Sequence, residues 1–166
     1  MDIIIKKMET EAEILGKGYV HWKSWQEAYP GMIDRAYLDA LSLEKCEDIA
    51  RRWPDNILVA KDGERVVGFA AYGKYRSEEL ADAGEIFAMY ILSEYYGSGA
   101  GRALMDAALE RIAEYPRVAV WVLRGNGRAI AFYRKCGFVP DGAEEEITLG
   151  TPVTEIRMML DRGAKG

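Results

Sequence analysis

The run Glu94-Tyr95-Tyr96-Gly97-Ser98-Gly99-Ala100-Gly101-Arg102 puts three glycines into five positions, between an apolar strand-like stretch and a helix-like one. Glycine leaves the backbone amides bare, and a helix start adds the positive end of its dipole. Bare amides at such a start are suited to holding phosphate, with Arg102 adding charge in the first helical turn. A glycine-rich helix start with no ligand is the plainer alternative. Spelling removes several phosphate and nucleophile motifs. A dinucleotide fingerprint would need glycine at position 102 or 104, where the chain has Arg102 and Leu104. The chain contains no P-loop, and Tyr96 occupies the first glycine position of a nucleophile elbow around Ser98.

Such a turn needs a scaffold, and the bulk composition allows one. The 166 residues are 49% hydrophobic and 30% charged, which fits one domain over 1–162 with a short tail at 163–166. A net charge of −5 argues against nucleic acid as a partner, since a phosphate backbone selects for basic faces. Two distant cysteines, Cys46 and Cys136, and the lone His21 give no metal-ligand spacing, so no metal is expected. That cysteine usage, and the lack of a signal-peptide pattern, lead us to expect a reduced, cytoplasmic setting. No segment approaches the roughly 20 apolar residues that cross a bilayer, so no membrane partner is expected.

The elements follow from local patterns. Residues 3–7 read as a strand. Thr10 with Glu13 is a capping-box signature that opens a helix over 11–29, closed by Pro30-Gly31. Residues 32–53 carry helical spacing. Asp62-Gly63 is a hairpin signal between strands at 57–61 and 65–72, followed by a polar loop over 77–83. A near-continuous apolar strand at 85–92 leads into the glycine turn and a helix over 99–114, with Leu104, Ala108 and Ile112 on one face. A buried strand at 118–123 is followed by a helix opened by Asn126 and ended by Gly137. Two strands, 138–149 and 153–160, finish the chain. This order predicts a mixed α/β (α+β) fold, its sheet mostly antiparallel, with a central parallel pair joined by a right-handed crossover and flanked by helices.

The glycine turn and the later run Asn126…Ala129-Ile130…Phe132-Tyr133…Gly137-Phe138 together resemble the GNAT superfamily of N-acetyltransferases. The resemblance extends from the first strand to the last and is sharpest between positions 85 and 138. One departure stands out: the family motif opens with Gln or Arg, and this chain has Tyr96.

The resemblance implies acetyl-CoA as donor and an amine as acceptor. Tyr96, Gly97, Ser98, Gly99, Ala100, Gly101 and Arg102 would meet the pyrophosphate. The backbone of Met89, Tyr90, Ile91 and Leu92 would pair with the pantetheine arm like an added strand, and Asn126 and Ala129 would flank it. Tyr133 matches the family's general acid, and Glu85 a position that family members use as base. Each has a second reading: Tyr133 as a core aromatic, Glu85 as a surface charge at a strand edge. The chemistry requires both proton transfers. Deprotonating an alkylammonium of pKa near 10.4 at pH 7 costs roughly 4 to 5 kcal/mol, and the departing thiolate is helped by gaining a proton. Arg124 and Arg128 are either phosphate contacts or solvated charges.

The acceptor site is marked only by Trp22, Trp25 and Tyr29, one helical stripe that serves as core or as pocket wall, with Glu27 or Glu85 to receive an ammonium group. Cys136 lies in no acyl-enzyme motif, so direct transfer in a ternary complex is expected. Two alternatives remain at this stage: a non-catalytic acyl-CoA sensor, and a transferase for another acyl group. Homodimers are common in the family, and Met158, Met159 and Leu160 of the last strand would serve such pairing.

Overall fold

A computed structural model describes residues 2–163, so positions 164–166 of the expected tail lie outside the described residues. The elements are β1 (Ile3–Lys7), α1 (Glu11–Ala28), α2 (Arg35–Ala40), α3 (Leu43–Arg52), β2 (Ile57–Asp62), β3 (Arg65–Lys74), β4 (Ala83–Ile91), α4 (Ala100–Arg111), β5 (Arg117–Leu123), α5 (Gly127–Lys135), β6 (Val139–Leu149) and β7 (Thr151–Asp161). The strands form one sheet in the order β1-β2-β3-β4-β5-β7-β6. Only β4 and β5 run parallel, with α4 as the crossover between them.

Several boundaries differ from the sequence expectation, three of them for a clear local reason. Residues 32–53 form two helices, because Asp34 and Ser42 each cap a new start, accepting from the amides of Tyr37 and Lys45. Asp62 belongs to β2, opposite Arg65, so the hairpin turn is Gly63-Glu64, with Gly63 at φ +64°. The helix α4 stops at Arg111, before Pro116. The Arg162 guanidinium donates to the carbonyls of Leu109, Ile112 and Tyr115 around that end.

The core sits on β3, where Val66, Val67, Phe69 and Ala70 are all buried. Consecutive burial means both faces are covered, and the two helices packed against β3 are α1 and α4. Close approach of α1 requires Gly16, since a Cβ there would lie 2.6 Å from Cγ2 of Val66. The start of α1 is closed off by polar contacts. Thr10 and Glu13 form the expected capping box. Glu13 also accepts from Lys6 Nζ at 2.8 and 2.7 Å, Lys61 Nζ at 3.1 Å and the Glu9 amide at 2.8 Å. Burial alone would push its carboxyl up, but these donors outweigh it and hold the group at about 2.

The last strand corrects one expectation. β7 lies between β5 and β6, and Met158 and Met159 are buried with Leu160 partly covered. Met158 and Met159 belong to the core, and β7 has no free edge to pair with a second copy.

Candidate active site

The site begins as a defect in the sheet. Across the β3–β4 ladder, Ala71 pairs with Ala88 and Tyr72 with Ile86, so Phe87 is an extra residue on β4. A bulge bends its strand and increases the local twist. At the same point β4 parts from β5: their pairing ends at Ile86 with Val120, although β4 continues to Ile91 and β5 to Leu123. Beyond it, the main chain of β4 has no partner on the β5 side. The gap opens a cavity of about 510 Å³. Phe87, Ala88, Met89, Tyr90 and Ile91 line one wall and Val120, Trp121, Val122 and Leu123 the other.

The glycine turn closes one end of this cavity. Gly97 and Gly99 sit at φ +76° and +92°, conformations that glycine enters without penalty. Among the described residues the amides of Gly97, Gly99, Gly101 and Arg102 have no acceptor, and all four residues line the cavity. Ser98 and Ala100 do not line it. The Ser98 hydroxyl accepts the Ala100 amide at 3.2 Å and donates to the Tyr95 carbonyl at 2.6 Å, so both brace the turn from behind. Leu92 is likewise turned into the core, its amide donating to Val67 O at 2.9 Å.

Two cations are already engaged. Arg102 Nε donates to Asp106 at 3.1 Å, and Arg124 is paired with Glu144. Arg128 is different: its guanidinium lies 3.4 Å over the Tyr96 ring at the cavity wall, with no carboxylate partner among the described residues. The residue that departs from the family motif is therefore the platform for a cation supplied by α5. Asn126 caps α5 by accepting the Ala129 amide at 3.2 Å, and both residues line the cavity.

Tyr133 is 6% exposed and reaches the cavity wall, with its ring edge-on to Phe132 and Phe138. Among the described residues its hydroxyl makes no hydrogen bond, and burial pushes the phenol well above its usual range. The ring packs in the core, as one reading of this residue expects, and the residue also lines the cleft. Cys136 also lines the cavity, but burial raises its thiol, which leaves it protonated and a poor nucleophile at neutral pH.

The opposite end of the cavity is reached by Ser24, Ala28 and Tyr29 of α1 and by Glu155 of β7. Tyr29 and Tyr90 share a hydrogen bond at 3.0 Å between their hydroxyls. The aromatic stripe of α1 therefore divides. Tyr29 reaches the cavity, Trp25 packs behind it at 5.0 Å, and Trp22 packs on Tyr19 at 6.0 Å. The cavity lining includes neither tryptophan. His21 is tucked against Trp25 and Phe69, and burial lowers it to about 4.

The carboxylates are also redistributed. Glu27 is occupied, accepting from the Ser93 amide and hydroxyl at 2.9 and 2.8 Å. Glu85 is 0% exposed, which overturns its reading as a surface charge, and it lies outside the cavity lining. Arg76 grips both of its oxygens, with Nε at 3.1 and 3.0 Å and the Arg76 amide at 3.2 Å. Glu155 does line the cavity, and among the described residues it has no hydrogen-bond or ion-pair partner. Sequence reasoning missed it. A single carboxylate among the β-branched residues Val153, Thr154 and Ile156 gives no local sign of a site. Among the described residues no group of His, Cys, Asp and Glu is placed to hold a metal ion, and no helix is long and apolar enough to cross a membrane.

A cleft between parted parallel strands, with a glycine turn at one end, is matched by family comparison. The family model for the acetyltransferase (GNAT) family covers residues 19–138. The chain belongs to this family. An uncharacterized N-acetyltransferase of Bacillus subtilis, YuaI, is 32% identical over 162 residues, covering 86% of this chain and 90% of that protein. The alanine N-acetyltransferase for ribosomal protein bS18 of Escherichia coli is 24% identical, covering 61% of this chain and 82% of its own. Among solved structures, PaiA N-acetyltransferase of Thermoplasma acidophilum, in complex with coenzyme A, superposes with a TM-score of 0.75. It is 22% identical, with 97% of this chain and 99% of that one covered. The GNAT fold and acetyl-CoA-dependent N-acetyltransferase class expected from the motifs are thus supported by homologues along most of the chain.

Proposed function

We propose that this GNAT enzyme acetylates a primary amine by direct attack on acetyl-CoA in a ternary complex. One observation carries the reading: a single cavity is lined by the glycine turn with its free amides, by Tyr133 and by the α1 end. Donor and acceptor then meet in one space, with no covalent stop on the protein.

The pyrophosphate would lie on the amides of Gly97, Gly99, Gly101 and Arg102 at the start of α4, with Arg128 over Tyr96 adding the cation that the family motif places elsewhere. The pantetheine amides would pair with β4 between Phe87 and Ile91, where β5 has withdrawn. The thioester would then lie near Tyr133. The amine nitrogen attacks the carbonyl carbon, the C–S bond breaks, and the Tyr133 hydroxyl protonates the departing thiolate. The raised Tyr133 keeps its proton across the neutral range, as a donor must. The protonated Cys136 argues against an acyl-enzyme.

The test is thiol release from acetyl-CoA against polyamines, amino acids, aminoglycosides and peptides. Turnover with one amine class is expected. Release of CoA with none of them, by a protein that still binds acetyl-CoA in calorimetry, would overturn amine acetylation.

A further inference from the structure

An alkylammonium must lose a proton before its nitrogen can attack, and three carboxylates come into question for that task. Glu85 has its oxygens filled by the Arg76 side chain and amide. Glu27 is spent on Ser93, at the surface. Glu155 is half-buried, has no partner among the described residues, and opens into the reaction cavity.

The register explains why it faces the acceptor side. Glu155 lies opposite Leu123 on β5, and Trp121 lies opposite Arg157. Alternation puts Trp121, Leu123, Glu155 and Arg157 on one face of the sheet, away from the buried Val122 and Met158. Leu123 packs with Tyr29 on that face, so Glu155 shares it with the α1 end of the cavity.

We propose that Glu155 is the proton acceptor for the incoming ammonium, an assignment that rests on the amine-acetylation reading. The ammonium group gives its first proton to the Glu155 carboxylate, freeing the lone pair that forms the N–C bond. The second proton leaves nitrogen as the C–S bond breaks and restores the Tyr133 phenolate, which has just given its own proton to the thiolate. One proton per turnover then leaves Glu155 for solvent. The titratable and charged groups around it are Glu145 on β6, Glu85 and Tyr90 on β4, Arg76 after β3, Tyr29 at the C-cap of α1 and, two residues along its own strand, Arg157. Burial raises the Glu155 carboxyl, Arg76 opposes this, and Glu145 and Glu85 add to the rise. That moves it toward neutrality, where a proton acceptor works best.

The experiment compares Glu155→Gln, Glu155→Asp and Glu85→Gln with the wild type, using the amine that thiol release identifies. For Glu155→Gln, kcat/KM at pH 7 is expected to fall about 100-fold or more, with acetyl-CoA affinity and circular dichroism unchanged. The deficit should shrink as pH rises toward the pKa of the amine, because free amine needs no acceptor, and Glu155→Asp should recover part of the loss. A deficit that is constant with pH, a loss under threefold, or the pH-dependent deficit appearing in Glu85→Gln instead would overturn the assignment. A second arm needs no turnover: calorimetric titration of the CoA complex with butylammonium. Binding is expected in the wild type and lost in Glu155→Gln; equal binding by both, or by neither, overturns the role of Glu155. If turnover is absent for every amine while butylammonium binding still depends on Glu155, the transfer reading fails and takes the proton-acceptor role with it, leaving Glu155 as an ammonium site only.

Discussion

The corner where β1 meets α1 and the cleft between β4 and β5 both withdraw polar groups from water, but they treat them in opposite ways. At the corner, Glu13 is 3% exposed and takes hydrogen bonds from Lys6, Lys61 and the amides of Glu9 and Thr10. In the cleft, the buried Tyr133 and the half-buried Glu155 have no hydrogen-bond partner for their polar ends among the described residues, and the amides of the glycine turn stand open to solvent at its mouth. A buried polar group without a partner costs free energy. The corner avoids that cost and stabilises the fold. The cleft carries it, and a ligand with complementary groups would relieve it.

This contrast can be broken from either side. The largest effect is expected for Tyr133→Phe, which should lower kcat by about 10² to 10⁴-fold while leaving the melting temperature and CoA affinity nearly unchanged. Steady-state kinetics beside a thermal melt checks both; unchanged turnover removes Tyr133 as the acid. At the corner the pattern should invert. Glu13→Ala leaves Lys61 without its carboxylate and should cost about 3 kcal/mol of stability, read from denaturant unfolding, with kcat unaffected. The same carboxylate makes a pH prediction. Its folded value of about 2 lies below its usual 4.5, so its contribution is full above pH 4.5 and lost as pH falls toward 2. An acid titration of stability should show a fall of about 2 kcal/mol in that window, missing in Glu13→Gln. The smallest effect is at the cleft rim. Arg128→Ala should raise the Kd for CoA roughly tenfold, about 1.4 kcal/mol, with a shallower salt dependence. A Kd that does not move would return Arg128 to the solvated surface.

What the sequence disclosed depended on how far apart the cooperating residues lie. The capping box of Thr10 and Glu13, the Asn126 cap and the Gly137 stop are settled within four residues, and all were legible. That Glu13 also binds Lys61, 48 positions away, was not. The glycine turn announced itself by spelling, yet which of its amides are free depended on the Ser98 hydroxyl turning back to Ala100. The Trp22, Trp25 and Tyr29 stripe was legible as a stripe, but a helix face is wide enough for one end to meet a cavity and the other to meet core. Glu155 was invisible because its meaning comes from β5 and β6 beside it and from Arg76 having claimed Glu85 first. The parting of β4 and β5 was equally hidden, since one extra residue at Phe87 is a fact about register.

That missing stretch of ladder has a consequence for how the protein behaves while it waits for its donor. The sheet is left with an unfilled row, and a pantetheine arm would occupy it as an eighth strand made of another molecule. Anything that binds the folded chain alone raises its resistance to unfolding, by about 2.7 kcal/mol at a hundredfold excess over Kd. Heat tolerance and protease resistance should then rise and fall with the supply of acetyl-CoA, so that the lifetime of the protein becomes a gauge of the metabolite it spends.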